Sequence, residues 1–149
     1  MHKTKSQATH LAGSADEIEA AFYGALQLGD IDKLMACWAD EDEILCIHPG
    51  GQRVIGPGAI RASFEAIFAN GSINAKPERV HLLSTPGGSV HSVLERIEIM
   101  TTEGRQNAFA IATNIYHQTT HGWRMVVHHA SPGTSRELQT TFGKPVLLH

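Results

Sequence analysis

An α+β fold is the class this sequence predicts, on two observations. The first half carries three amphipathic helical patterns, and the second half breaks at glycine turns into four long strand-like segments. Helices first and strands after them describe a domain whose helices cover one face of a mainly antiparallel sheet.

The elements follow in order. Ser14 and Glu17 have the spacing of a capping box, and Ile18, Ala21, Phe22, Ala25 and Leu26 then share one helical face up to Leu28-Gly29. Asp30 caps a second helix bearing Ile31, Leu34, Met35 and Trp38, joined to the first by a very short turn. The acidic stretch Asp40 to Glu43 ends it. Ile44 to His48 and Val54-Ile55 read as short strands about the turn Pro49-Gly50-Gly51. Gly56-Pro57-Gly58 opens a third helix with Ile60, Phe64, Ile67 and Phe68 on one face, and Asn70-Gly71 closes it. Pro86-Gly87-Gly88, Glu103-Gly104 and His121-Gly122 then divide the four long segments into an antiparallel meander. Periodicity fades from Thr134, and Lys144-Pro145 argues against a final central strand. The expected organisation is a disordered tail over 1–13, one domain over 14–132 and a tail or arm over 133–149.

Composition removes several function classes. A chain of 149 residues suits one core, and no apolar run nears the ~20 residues a membrane span needs. A formal charge of −3 offers no basic field for a phosphate backbone, so no nucleic-acid partner is expected. Lys3 and Lys5 are not followed by the apolar stretch of a secretory signal, so a cytoplasmic location is expected. Cys37 and Cys46 lack CxxC spacing and read as reduced core thiols. Ten histidines raise the question of a metal, but HxH and HExxH spacings are missing and no metal site is expected.

Three segments carry a family resemblance. Gly29-Asp30-Ile31-Asp32-Lys33-Leu34 leads to Cys37-Trp38-Ala39-Asp40, and His48-Pro49-Gly50-Gly51 is followed by Val54-Ile55-Gly56-Pro57-Gly58-Ala59-Ile60. The third is Gly122-Trp123-Arg124-Met125-Val126-Val127-His128-His129-Ala130-Ser131. With the element order, they resemble the nuclear transport factor 2-like superfamily, in its SnoaL-like and ketosteroid isomerase-like branch. The resemblance implies a cone-shaped curved antiparallel sheet wrapped around a long helix, with two further N-terminal helices, as in a cystatin-like α+β barrel. It also implies a cavity within the cone, and a homodimer formed through the outer face of the sheet, near Arg124, Val126 and His128.

Carried over residue by residue, the resemblance sets His48 where ketosteroid isomerases hold a carboxylate base. Asn114, eight residues before Gly122, stands where they hold an acid that donates to the substrate oxyanion. Their oxyanion tyrosine falls on Phe22, with Tyr23 one step round the helix.

Strand alternation adds further candidates. Trp123, Met125, Val127 and His129 share the more apolar face of the last strand and are expected inward, which puts His129 in the cavity. On the strand before, either Ala108, Ala110, Ala112, Asn114 and Tyr116 face in, or Phe109, Ile111, Thr113, Ile115 and His117 do; the resemblance favours the first set. Glu95 alternates with Val93, Ile97 and Ile99. It reads either as an inward carboxyl raised toward useful acid–base strength or as a partner of Arg96 or Arg105 on the sheet surface. His48 reads either as a base of near-neutral strength or as a turn histidine bonding backbone near Pro49. Trp38, Phe64, Met125 and Val127 are expected as cavity wall, with Phe22 and Tyr23.

Two functions fit. One is an isomerase, cyclase or dehydratase acting without an organic cofactor on a small apolar or carbonyl-containing molecule. Its site would comprise His48, Asn114, His129 and Glu95. The other is a non-catalytic ligand-binding or dimerisation module of the same fold.

Overall fold

The computed structural model describes residues 13–133; apart from Gly13 and Gly133, the tails expected over 1–13 and 133–149 lie outside it. Helix α1 (Ala15–Leu28) starts at Ser14, whose hydroxyl accepts from the Glu17 amide at 3.1 Å. It ends at Gly29, which adopts the left-handed conformation with φ 66°. Gly29→Ala is expected to cost about 1 to 2 kcal/mol, because an L side chain is strained there although Cβ would only touch Ser72 at 3.4 Å. Urea denaturation would show it, and an unchanged midpoint would mean the turn relaxes freely. Helix α2 (Ile31–Ala36) starts at Asp30, whose carboxylate caps the Lys33 amide. It stops before Trp38, which instead forms an isolated parallel bridge with Met125. The expected second helix is therefore shorter at its end.

Strands β1 (Leu45–Ile47) and β2 (Arg53–Ile55) form the first hairpin, and helix α3 (Pro57–Phe68) follows with Pro57 in its first turn. The meander is β3 (Ala75–Thr85), β4 (Gly88–Thr101), β5 (Gly104–Thr119) and β6 (Gly122–Pro132). Together they make one curved six-stranded sheet in the order β2-β1-β6-β5-β4-β3, antiparallel except where β1 runs parallel to β6. This is the α+β architecture the element order predicts. Among the described residues no helix is long and apolar enough to cross a membrane.

The core lies between the helices and the inner face of the sheet. Helix α1 contributes most from the helical side, burying Ile18, Phe22, Tyr23, Ala25 and Leu26, whereas α3 buries Ile60 and Phe64. Val93, Ala112, Met125 and Ala130 meet them from the strands. Cys37 and Cys46 are both free and buried, and burial pushes the Cys46 thiol up to about 12.

One irregularity decides which residues of β6 face inward. Tyr116 pairs with Met125 and Ile115 with Val127, so Val126 is an extra residue in β6. The bulge lets the backbone of Met125 bond Cys37 and Ala39, at 2.7 and 2.9 Å, while residues from Val127 onward pair with β1. Alternation is reset at Val126. Met125 and His128 both point inward, and Val127 and His129 point away. The expected inward positions of Val127 and His129, and the expected outward position of His128, are thereby corrected.

Candidate functional site

Seven buried polar side chains converge on the inner face of the sheet. Glu19 and Tyr23 are four residues apart on α1 and so share one helical face. His91 and Glu95 are four apart on β4, which places both on the same side of a strand. Asn114 and Tyr116 face in from β5. His128 completes the set, because Asn114 is the cross-strand neighbour of His91 on one side and of His128 on the other.

Their hydrogen bonds form one network. Tyr23 donates its hydroxyl proton to Glu95 Oε2 at 2.7 Å and accepts from Asn114 Nδ2 at 3.0 Å. Asn114 Nδ2 also donates to Glu19 Oε2 at 3.2 Å, and Tyr116 donates to the same oxygen at 2.8 Å. That carboxylate fixes which end of the Asn114 amide carries nitrogen. The amide oxygen, which can only accept, lies 2.6 Å from His128 Nδ1. His128 therefore carries a proton on Nδ1 and, when neutral, its lone pair on Nε2. His91 Nε2 lies 2.9 Å from Ser89 Oγ. Its Nδ1 is 3.0 Å from Glu19 Oε2, close enough for an ion pair but misaligned for a straight hydrogen bond.

Burial sets the electrostatics. Desolvation raises the Glu95 carboxyl, the Tyr23 bond opposes that shift, and the charge of Glu19 adds to it. Desolvation, then the fields of His48 and His129, push His128 down to about 3, so it is neutral at ordinary pH. Tyr23 and Tyr116 are raised, mainly by desolvation, and stay protonated donors. Besides the two tyrosines, the buried polar side chains among the described residues are Glu19, Ser89, His91, Glu95, Asn114 and His128, with no lysine or arginine among them.

His48 stands apart from this network. It follows β1 and is half-buried, which lowers its pKa by desolvation. Ser63 Oγ donates to the Ile60 carbonyl at 2.7 Å and so accepts from His48 Nε2 at 3.0 Å. The neutral ring therefore keeps its lone pair on Nδ1. The Phe64 ring is 4.8 Å from His48, and Phe22 lies 6.2 Å from Phe64 and 4.9 Å from His128. Phe64 and Phe22 thus form a run of aromatic contacts from His48 to His128, whose ionisation His48 also opposes. The expectation that His48 and His129 share one site in the cavity is corrected, since His129 is exposed on the outer face.

Of the remaining expected residues, Asn114 and Glu95 lie at the centre of the network, and Phe22, Tyr23, Trp38, Phe64 and Met125 are buried around it. Val127 is half-buried and faces away. Sequence reasoning missed Glu19, His91, Tyr116 and His128 as site residues. His91 was open to detection, because it has the same strand parity as Glu95. Glu19 was hidden by its neighbours Ile18 and Phe22, which read as the apolar stripe, and His128 was hidden by the bulge.

Among the described residues, no group of three or more His, Cys, Asp or Glu side chains is arranged to hold a metal ion. Three surface depressions flank the interior. One, of about 220 Å³, lies between the start of α1 and Ser89, His91 and Trp123. The other two adjoin Trp38 and Asp40. None of these three includes Tyr23, Glu95 or Asn114.

Comparison with known proteins supplies a family context. A family profile described as SnoaL-like domain matches residues 16–135. A solved structure from Thiobacillus denitrificans, described as a candidate calcium/calmodulin-dependent protein kinase type II association domain, is 33% identical. That likeness covers 81% of this chain and 96% of the other, with a TM-score of 0.74. A candidate dehydratase of the NTF2-like family from Streptomyces avermitilis is 28% identical over 83% of this chain and 96% of its own, with a TM-score of 0.72. A cystatin-like protein from Caulobacter vibrioides shares the fold at 16% identity over 90% of this chain and 95% of its own, with a TM-score of 0.70. No curated protein matches the chain.

Proposed function

The chain belongs to the SnoaL-like domain family, and we propose that in this member the buried network is an acid–base site for a small neutral carbonyl compound. The reaction class is isomerisation, cyclisation or dehydration, carried without an organic cofactor. One observation carries the reading: a raised Glu95 carboxyl is bonded to Tyr23, which Asn114 links to a neutral His128. A carboxyl of raised pKa, beside two donors in a water-poor interior, suits proton transfer next to a carbonyl.

In this reading a base takes a proton from the carbon beside the carbonyl, and the C–H electrons move to the carbonyl oxygen. Tyr23 turns its hydroxyl from Glu95 to that oxygen as charge develops, which frees the Glu95 carboxylate, while Asn114 holds the tyrosine oxygen. The proton returns to the same or another carbon, or leaves with a β-hydroxyl as water. Glu95 and the lone pair of His48 are the candidate bases. Among the described residues the interior holds Glu19 and Glu95 and no lysine or arginine, which favours a neutral substrate over a phosphate or carboxylate.

A second reading is an assembly module. The neighbour described as a candidate association domain favours it, as does the small number of unsatisfied groups. Among the described residues, only Trp38 Nε1 and His91 Nδ1 are buried side-chain nitrogen or oxygen atoms without a hydrogen bond.

Deuterium uptake from D2O separates the two readings. Small ketones and β-hydroxy ketones are incubated with the protein and followed by NMR at the carbon beside the carbonyl. Uptake above buffer is expected, with Glu95→Gln lowering it about a hundredfold. No uptake across the panel, in a protein that forms a stable oligomer, would favour the assembly module.

A further inference from the structure

The Glu19 carboxylate is the most heavily contacted oxygen site in the interior, yet α1 and the sheet enclose it. Oε2 accepts from Tyr116 and Asn114, and His91 Nδ1 stands 3.0 Å away. On its other side, His91, 1% exposed, is one of the residues lining the depression of about 220 Å³ at the start of α1. There Nε2 meets Ser89 Oγ at 2.9 Å, and the mostly exposed Asp16 carboxylate is 4.0 Å away. One imidazole thus has its two nitrogens on opposite sides of the barrier, one toward the buried carboxylate and one toward the groove.

We infer that His91 is the proton gate of the interior, passing protons between the depression beside α1 and Glu19. The step conserves charge on the ring. A proton from hydronium, or carried by the Asp16 carboxyl, binds Nε2 as the proton on Nδ1 leaves for Glu19 Oε2, so one O–H and one N–H bond break and one of each forms. Ser89 can serve both tautomers, since its hydroxyl donates to a bare Nε2 and accepts from a protonated one. The titratable groups facing His91 are Asp16 and Glu19 from α1 and Tyr116 from β5, whose ring centroid lies 4.8 Å from that of His91. Asn114, an amide, passes no proton onward to Tyr23 without changing tautomer. The gate therefore serves Glu19 and Tyr116 directly, and it rests on the acid–base reading above only for its use in catalysis.

The test needs no substrate. The hydroxyl proton of Tyr116 is buried on Glu19, and its exchange with water can be followed by proton NMR in the full chain. In His91→Phe that exchange is expected to slow about a hundredfold, with backbone amide exchange in β4 and β5 unchanged. His91→Gln keeps a partner for Ser89 but relays no proton, and it is expected to be equally slow. A purely structural role would instead be rescued by Gln. Wild-type exchange in folded His91→Gln would overturn the inference. That result would leave the deuterium-uptake assay, and so the acid–base reading, standing on its own outcome.

Discussion

Lowering the pH from 6.5 to 3.5 is expected to remove about 4 kcal/mol of folding stability through His128 alone, at about 1.4 kcal/mol per unit. His128 is held down to about 3 in the folded chain, against an ordinary 6.5. Between those values the unfolded chain binds a proton that the folded chain refuses, so stability falls as pH falls. Above 6.5 neither state binds it and the effect is gone. Glu95 acts with the opposite sign, because its raised carboxyl takes up a proton in the folded state first and so offsets part of the loss at the acid end. Urea denaturation across this range would measure the slope. In His128→Gln, whose amide can still donate to Asn114, the slope over this window should flatten. If the variant keeps the wild-type slope, His128 is not the residue resisting charge.

Asn114→Ala is expected to destabilise the fold by about 3 to 5 kcal/mol, among the larger effects a single substitution produces. The amide is fully buried and is the one side chain bonded to Glu19, Tyr23 and His128 together. Its loss leaves the buried His128 Nδ1–H without its acceptor and takes one donor from the buried Glu19 carboxylate. A double-mutant cycle with His128→Ala isolates their shared bond. A coupling of about 1 to 3 kcal/mol is expected for a buried pair. A cost below about 1 kcal/mol for Asn114→Ala would show that the network closes over the gap.

Much of the fold was legible because local chemistry states it. Ser14 and Asp30 announce helix starts through side chains that cap amides three residues on, and the observed helices begin there. The glycines of the three hairpin turns separate the long strands where expected. The inward choice for Asn114 needed more, since alternation on β5 fits either face. It followed from the family resemblance, and the structure buries Ala110, Ala112, Asn114 and Tyr116. The site was legible only in part. Tyr23 and Phe22 were both named, but not that the tyrosine would bond Glu95 from another element 72 positions away.

What the sequence determined by itself was the order of elements, their ends and the parity of each uninterrupted strand. These depend on caps, turns and side-chain period, all of which act over a few residues. Which face β6 shows beyond Met125 was decided only in the tertiary structure. There the backbone of Met125 bonds Cys37 and Ala39 while Val127 onward pairs with β1, and the extra residue Val126 reconciles the two. Nothing local in Arg124-Met125-Val126-Val127 marks that compromise, because its cause is the placement of two other segments. The same holds for Glu19 and His91, whose meeting depends on how α1 lies across the sheet and not on either residue's neighbours in the chain.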